Sequence, residues 1–261
     1  MSFLRCESLD VSIGGIQVVT ALDFEIASGE FWGLLGPNGI GKTTLLKCLA
    51  GLEESAAGKV LLEGAPIATL PRKRIAQKIG MLQQHTVYVF DSSVLQTALT
   101  GRHPHLSAWE RESARDTRLA REALASVGMA ELAERSVTRL SGGEARRLAF
   151  ATLMVQNPDL MLLDEPTNHL DFRHQVRVMR TVGDMVYGSG RLALTALHDV
   201  NLAAMYCSHV LMLFGDGEWL GGPAVELLTN ENLERLYQCP VSAIDTPEGR
   251  RFHPAFSRLS D

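Results

Sequence analysis

The chain has 261 residues, 46% of them hydrophobic, and a formal net charge of −5 at pH 7. Its length suits one large α/β domain or two small ones, and its charge excludes a general electrostatic attraction to nucleic acid. The four cysteines form no Cys-x-x-Cys pair, so we expect reduced thiols in a cytosolic protein rather than a zinc site or a disulfide framework. The chain has neither a secretory signal pattern nor an apolar run that could span a bilayer, so we expect a soluble protein that reaches a membrane only through a partner.

The predicted elements begin with strands and then alternate between strands and helices. Residues 3–26 alternate apolar and polar side chains around Gly14-Gly15, which predicts a hairpin. An apolar run at 31–35 predicts a buried strand, and residues 43–50 predict a helix that ends before Gly51. Further strands are predicted at 60–62, 79–82, 160–163, 192–197 and 210–214, and further helices at 72–78, 173–187 and 200–205. This β-α-β order predicts a mainly parallel sheet.

Two further regions complete the predicted layout. Residues 93–157 have apolar side chains at helical spacing, which predicts an α-helical insertion between two parts of one nucleotide-binding core. The residues past about 230 predict a short helix and two edge strands.

A phosphate-binding loop is predicted between the strand at 31–35 and the helix that follows it. The pattern G-x-x-x-x-G-K-[ST] is matched by Gly36-Pro37-Asn38-Gly39-Ile40-Gly41-Lys42-Thr43-Thr44. Glycines let the backbone wrap around an anion at a positive helix terminus, Lys42 can reach the terminal phosphates of a nucleotide, and the Thr43 hydroxyl can ligate Mg²⁺. The alternative is an ordinary glycine-rich turn, but such a match arises by chance in roughly one chain in a hundred or fewer.

Two adjacent carboxylates, Asp164 and Glu165, follow the buried run at 160–163. Ligands of open α/β sheets bind at the carboxyl ends of the strands, so Asp164 is suited to hold Mg²⁺ through water. Glu165 is suited to orient and deprotonate an attacking water. The alternative, an acidic turn at a strand end, is common for an isolated Asp-Glu pair, but the upstream phosphate loop favours the functional interpretation.

A second anion-binding pattern opens a predicted helix. It places a hydroxyl and glycine N–H groups at a positive helix terminus, in the segment Leu140-Ser141-Gly142-Gly143-Glu144. The alternative is a helix N-cap with an acidic first turn. Because one loop already binds the nucleotide, a second anion site would be surplus unless it serves another copy of the chain.

The order and spacing of these motifs resemble those of an ATP-binding cassette (ABC) ATPase subunit over roughly residues 3–230, with Gln84, Asn168-His169-Leu170-Asp171 and His198 completing the set. The resemblance implies a P-loop NTPase core with a mainly parallel sheet, an N-terminal antiparallel β subdomain and an inserted α-helical subdomain. Residues 1–261 would form a single ABC ATPase domain. Its core would comprise about 1–86 and 158–230, its helical subdomain about 87–157, and its C-terminal extension about 231–261.

The resemblance also implies ATP and Mg²⁺ as ligands and a head-to-tail homodimer, in which residues 140–144 of one subunit contact the ATP of the other. Asp171 would communicate across that interface, His198 would contact the γ-phosphate, and Gln84 would sense Mg²⁺ and the attacking water. The catalytic set would then be Lys42, Gln84, Glu165 and His198, and the Mg²⁺ ligands would be Thr43, Gln84 and Asp164. In the family, the region matching Gln84–Phe90 receives a membrane subunit. For any one of Val87, Tyr88, Val89 and Phe90, packing inside the helical subdomain is an equally favoured alternative.

Three short segments are similar to ATPases of importers for ferric siderophores, haem and cobalamin: Thr100–Leu106, His198–Ala204 and Glu248–Pro254. That resemblance implies a peripheral protein on the cytoplasmic side of the inner membrane. The cargo would contact a periplasmic or extracellular solute-binding protein and the membrane subunits, so the sequence does not name it.

One position departs from the family pattern, because Ile13 stands where an aromatic residue usually stacks on adenine. This change predicts weaker base binding and leaves the preference for ATP over GTP open.

The alternatives are other nucleotide-binding proteins. An ABC ATPase of another importer or of an exporter remains open. A soluble ABC protein of the chromosome type is disfavoured because the chain has no sustained heptads, and one of the translation type because it has a single cassette. A small-molecule kinase or a GTPase is disfavoured because the chain lacks an Asn-Lys-x-Asp motif and a kinase would not need residues 140–144.

Overall fold

The structure is a computed structural model that describes residues 3–84, 88–107, 109–168, 170–247 and 249–255. Its strands are β1 (Leu4–Ile13), β2 (Ile16–Ile26), β3 (Phe31–Leu35), β4 (Ala57–Leu62), β5 (Ala65–Pro66), β6 (Ile79–Leu82), β7 (Leu160–Asp164), β8 (Leu192–Ala196), β9 (His209–Gly215), β10 (Glu218–Pro223), β11 (Val241–Thr246) and β12 (Gly249–Pro254). Its α-helices are α1 (Lys42–Leu49), α2 (Arg72–Lys78), α3 (Val94–Leu99), α4 (Ala114–Ser126), α5 (Gly142–Gln156), α6 (Phe172–Ser189), α7 (Val200–Tyr206), α8 (Ala224–Leu227) and α9 (Asn230–Tyr237).

The chain divides into two compact units. The first comprises the described residues of Met1–Thr69 and Gly183–Asp261, and the second those of Leu70–Val182. Across the described ranges, no helix combines the length and the apolar character that a bilayer crossing requires.

The first unit contains an antiparallel sheet with the strand order β2-β1-β4-β5. The predicted hairpin is confirmed: β1 pairs with β2 from Leu4↔Ile26 to Ile13↔Ile16. Its turn is Gly14-Gly15, and both glycines have positive φ, at 56° and 83°. Two-residue hairpin turns of this kind need positive φ at both positions, which glycine adopts without steric cost.

A second sheet of the first unit contains β10, β9, β3 and β8 in that order. The central strand β3, buried along its whole length, is parallel to both β8 and β9. Parallel neighbours end at the same edge of a sheet, so the segments that follow β3 and β8 leave from one edge. The hairpin partner β10 was not predicted, although the other strands of this sheet were.

The C-terminal hairpin β11–β12 lies against α7 in the same unit. The Asn201 amide donates to the Phe252 carbonyl at 3.0 Å and accepts from the Phe252 N–H at 2.8 Å. One side chain thus satisfies both polar backbone groups of a strand residue. The predicted short helix and two strands past residue 230 are confirmed.

The second unit combines the parallel strand pair β6 and β7, in register from Ile79↔Leu160 to Leu82↔Leu163, with a group of helices. Helices α3, α4 and α5 begin at Ser93, Ser113 and Ser141, and each serine forms a reciprocal capping box with the third residue of its helix. These caps explain where the helices begin within the long stretch of helical spacing. The predicted helical subdomain, about 87–157, falls within this unit, and its boundaries remain a prediction.

Candidate nucleotide-binding site

The phosphate loop joins β3 to α1 and is held closed by its own lysine. Lys42 is buried, and its Nζ donates to the carbonyl oxygens of Gly36 at 2.8 Å and Pro37 at 3.0 Å. The ammonium group lies against the loop backbone, so it and the loop N–H groups could donate to the same phosphate group. The predicted strand, glycine loop and helix are therefore all present.

Glycine is required at the end of this loop. Gly41 has φ of 101°, and a Cβ built there would lie 2.4 Å from a methyl carbon of Val18 on β2. Gly41 is also the N-cap of α1, so no side chain caps the helix, and the first turn contains no acidic residue. A helix terminus with these features is suited to bind an anion through its backbone N–H groups.

In the second unit, two amides converge on the carboxylate of Glu165. Gln84 donates through Nε2 to Glu165 Oε2 at 2.7 Å, and Asn168 donates through Nδ2 to the same oxygen. Asp164, the last residue of β7, is completely buried. Glu165 has a positive φ of 52°, a backbone conformation that costs a non-glycine residue about 1–3 kcal/mol and that clusters at functional sites. The structure thus brings the predicted Gln84 and Glu165 into direct contact.

The segment around Asp171 is fixed by the first turn of α6. The Asp171 carboxylate accepts from the His174 backbone N–H at 3.0 Å and lies 2.8 Å from His174 Nδ1, and these bonds hold its pKa below the ordinary value. Gln175 donates to the carbonyls of Thr167 and Leu170. His169 lies outside the described residues.

The segment 140–144 opens α5 as a closed cap. The Ser141 hydroxyl accepts from the Glu144 N–H at 3.3 Å, and Glu144 Oε2 accepts from the Ser141 N–H at 2.7 Å. These bonds, with a smaller contribution from Arg135, hold the pKa of Glu144 below its ordinary value. The capping role that was an alternative explanation of Ser141 is therefore present in the structure. Anion binding at this segment stays a prediction.

His198 lies just after β8. The preceding residue, Leu197, donates its N–H to the Leu34 carbonyl of β3 at 3.1 Å, so the two backbones stay paired to this point. The next residue, Asp199, caps α7 by accepting from the Asn201 N–H. In the first unit, His198 and the predicted phosphate loop therefore leave from one edge of the sheet. Contact of His198 with a γ-phosphate stays a prediction.

Comparison with known proteins identifies the family. Residues 19–168, more than half of the chain, match the model of the family described as ABC transporter. This chain belongs to the ABC transporter family. The predicted ABC ATPase fold is confirmed, with a mixed, mainly parallel sheet, an N-terminal antiparallel β subdomain and a helical insert. The cassette is an ATP hydrolase, as predicted.

Relatives of this ABC cassette cover nearly its full length. The hemin import ATP-binding protein HmuV of Pseudomonas aeruginosa is 39% identical over 256 residues, which is 96% of this chain and 98% of the relative. The ferric enterobactin transport ATP-binding protein FepC of Escherichia coli K12 is 35% identical over 244 residues, which is 94% of this chain and 90% of the relative. A transporter described as a metal-chelate type ABC transporter, in an inward-facing conformation, has a chain with a TM-score of 0.85, 27% identity and full coverage of both chains.

Two groups of exposed apolar side chains lie where the sequence predicted contacts with the base and with a membrane subunit. Ile13 lies at the end of β1, 47% exposed, opposite Ile16, which is 51% exposed. Val89 and Phe90 are 77% and 85% exposed, whereas Tyr88 is half-buried and Val87 lies outside the described residues. Burial raises the pKa of Tyr88 to about 12. An exposed pair of apolar side chains is what a docking surface needs, and docking at this segment stays a prediction.

Sequence reasoning assigned no role to two residues of the cassette, Asn168 and Arg146. Asn168 was part of a motif, but its contact with Glu165 became visible only in the structure. Arg146 is 6% exposed and donates to the carbonyls of Gln83, Gln84, Asp164 and Glu165. One signal was available: Arg146 shares a helix face with Phe150 and Leu153, at spacings of four and seven, where the pattern predicts an apolar residue.

Proposed function

We propose that this chain is the ATP-hydrolysing subunit of an importer for an iron–siderophore complex, haem or cobalamin, lying peripherally on the cytoplasmic side of the inner membrane. The near full-length similarity to HmuV and FepC supports this cargo class. A solute-binding protein outside the membrane would select the cargo, so this chain would contact it only indirectly. Nucleic acid is not a partner in this proposal, in keeping with the net charge of −5.

The convergence of Gln84 and Asn168 on Glu165 Oε2 carries the proposed chemistry. A water molecule attacks the γ-phosphorus in line, its proton passes to Glu165, and the bond to the ADP oxygen breaks. The two amides orient the carboxylate, because a side chain held by two donors has few other conformations. Lys42 stabilises charge on the transferred phosphoryl group, and His198 contacts that group from the end of β8.

The residues proposed for Mg²⁺ fit the ion. Mg²⁺ prefers one or two carboxylates, a hydroxyl and substrate phosphates over a cage built only from protein. Asp164 supplies a buried carboxylate, Thr43 a hydroxyl and Gln84 an amide oxygen. Within the described ranges, no group of three or more His, Cys, Asp or Glu side chains is arranged to hold a metal alone. When bound, the ion would neutralise charge on the terminal phosphates.

The proposed partner at Ser141–Glu144 is a second copy of this chain. The segment is a preformed helix terminus, and the phosphate loop of the same chain already supplies one nucleotide site. In a head-to-tail homodimer, each ATP would contact the phosphate loop of one copy and residues 140–144 of the other, and Asp171 would lie at the shared interface. Membrane permease subunits would dock near Gln84–Phe90, where Val89 and Phe90 are exposed.

Glu165→Gln tests the chemistry. We expect kcat for ATP to fall by about 100-fold or more, the size of a lost general base, with ATP affinity within about two-fold of the wild type. Glu53→Gln is the control, because Glu53 pairs with Lys47 on the surface. A Glu165→Gln protein with normal turnover would refute Glu165 as the base.

Docking is tested by co-expressing the tagged cassette with a candidate permease subunit of an importer of the proposed class. We expect Phe90→Ser to reduce recovery of the membrane protein on the tagged cassette, since exposed aromatic side chains often dominate an interface. Val225→Ser, at a residue that is 87% exposed in the other unit, is the control and should leave recovery unchanged. Equal recovery with both variants would refute docking at this segment.

A further inference from the structure

Helix α5 connects two functional parts of the second unit. Its N-terminus is the capped segment Ser141–Glu144. One turn further, Arg146 points to the buried face of the helix, where it shares a register with Phe150 and Leu153, exposed by only 1% and 3%. A charged group at such a position needs several hydrogen-bond acceptors, because burial removes its water.

Among the residues that the structure describes, Arg146 donates to four backbone carbonyls, which come from two segments. Nη1 donates to the carbonyls of Gln83 and Gln84, the latter at 3.1 Å, directly after β6. Nη2 donates to the carbonyls of Asp164 and Glu165, the latter at 2.7 Å, at the end of β7. The planar guanidinium therefore holds the ends of two neighbouring strands at once, a geometry that the single ammonium of lysine does not reproduce.

Two of these four carbonyls, those of Gln84 and Glu165, belong to the residues whose side chains meet at the proposed catalytic carboxylate. Gln84 and Glu165 are linked by their side chains at 2.7 Å, and Arg146 fixes the backbone of both. Desolvation by burial lowers the pKa of Arg146 from its ordinary value, and the nearby charges of Asp164 and Glu165 oppose part of that shift. Any displacement of the first turn of α5 would thus shift the backbone beneath Gln84 and Glu165.

We propose that Arg146 is a positioning residue that transmits the placement of the segment Ser141–Glu144 to the chain's own Gln84 and Glu165. This proposal rests on the proposed function, in which that segment contacts the ATP bound by a second copy. When the start of α5 binds the partner's nucleotide, Arg146 changes the position of the Glu165 carboxylate, which activates water in this copy. The two ATP sites of the dimer are then mechanically connected through one buried side chain.

A matched control lies at the other end of the same helix. Gln156 donates through Nε2 to the carbonyls of Ala76 at 2.7 Å and Ile79 at 3.0 Å, near the start of β6. Arg146 and Gln156 thus fasten one helix to the two ends of one strand, and only Arg146 does so next to Glu165. Loss of Gln156 should affect stability without affecting the placement of Glu165.

The experiment compares Arg146→Met, Arg146→Lys and Gln156→Leu in the full chain. For Arg146→Met we expect kcat to fall about 10- to 100-fold, as for a misplaced catalytic group, while the Kd for ATP and ATP-driven dimerisation stay within about two-fold of wild type. Arg146→Lys should restore part of kcat. Gln156→Leu should lower the melting temperature but keep kcat within about two-fold of the wild type.

Three results would overturn the proposal: unchanged kcat in Arg146→Met, loss of kcat together with loss of ATP binding, or a Gln156→Leu variant with the same loss of kcat at equal thermal stability. If Arg146→Met does not fold, Arg146→Lys decides alone, because a wild-type kcat in that variant would refute the requirement for a fork-shaped donor. Failure of the proposed function is recognised separately, by a wild-type protein that does not dimerise with ATP or by a Glu165→Gln protein that retains turnover.

Discussion

Two helix N-termini in this cassette are both predicted to contact phosphate, yet they are built in opposite ways. Helix α1 begins at Gly41, which has no side chain to cap it, and its first turn contains Lys42 and no acidic residue. Helix α5 begins at Ser141, and its own Glu144 closes the terminus in a reciprocal capping box. A cap satisfies orphan N–H groups that an anion would otherwise bind.

The difference indicates which terminus is built for a nucleotide in the single chain. A terminus without a side-chain cap, beside a buried lysine, favours an anion, so we expect phosphate binding to stabilise α1 more than α5. The capping box of α5 satisfies the N–H groups of Ser141 and Glu144 within the chain, which would let the segment 140–144 hold its conformation before a second copy arrives. We therefore expect the first site to bind its ligand directly and the second to present a preformed surface to a partner.

The largest expected effect comes from filling the space beside the uncapped terminus. In Gly41→Ala the new methyl group would lie 2.4 Å from Val18, on a backbone with φ of 101°. We expect ATP affinity to fall by about 100-fold or more, because the loop must move away from its phosphate-binding conformation. Titration calorimetry checks this. Gly64→Ala is the control, since Gly64 has φ of 83° but no neighbour within 4 Å; equal loss in both would mean that general destabilisation is the cause.

Features with local sequence signals could be predicted, and features that depend on distant segments could not. The strands at Phe31–Leu35 and Ile79–Leu82 and the helix at Arg72–Lys78 have the predicted bounds, because their apolar periodicity and flanking glycine or proline residues are local signals. The phosphate loop and Glu165 were predicted from local motifs, and their roles stay predictions. The contacts of Arg146 and Asn168 were not, since both depend on segments far apart in the chain meeting at one strand edge. The strand β10 was missed because its Gly-Gly-Pro end lowers its β propensity.

A smaller effect is expected when bulk and charge are added to the capped terminus. Ser141→Arg should abolish ATP-driven dimerisation and lower ATPase activity, while ATP binding to the phosphate loop stays within about two-fold of the wild type. Light scattering with and without ATP measures the dimer. Ser113→Arg is the matched control, because Ser113 caps α4 with the same reciprocal box and loses the same bonds. A Ser141→Arg protein with normal ATPase activity would refute the shared site.

A change at the tip of the hairpin that contains Val18 should instead strengthen binding. Val18 packs against Gly41, and Ile16 and Ile13 form the exposed tip of the same hairpin. Ile13→Tyr adds a ring that can stack on a base, worth about 1–3 kcal/mol, so we expect ATP to bind roughly 5- to 150-fold more tightly. Wild-type protein should distinguish ATP from GTP weakly. Ile244→Tyr, at an exposed position on β11, is the control; unchanged affinity in Ile13→Tyr would mean that another residue contacts the base.

The smallest expected effect is a pH dependence that only the capped terminus can have. Hydrogen bonds from Ser141 lower the pKa of Glu144 below 4.5, so its contribution to stability is present above the unfolded pKa and is lost as pH falls through the folded pKa. Glu144→Gln should therefore reduce the free energy of unfolding by about 0.5–1 kcal/mol at pH 7, and the difference from wild type should vanish below the folded pKa. Urea unfolding at pH values between about 3 and 7 measures both curves. Helix α1 has no acidic residue in its first turn, so it contributes no pH-dependent stability of this kind. A constant difference between wild type and Glu144→Gln at every pH would mean that the charge of Glu144 does not stabilise the cap.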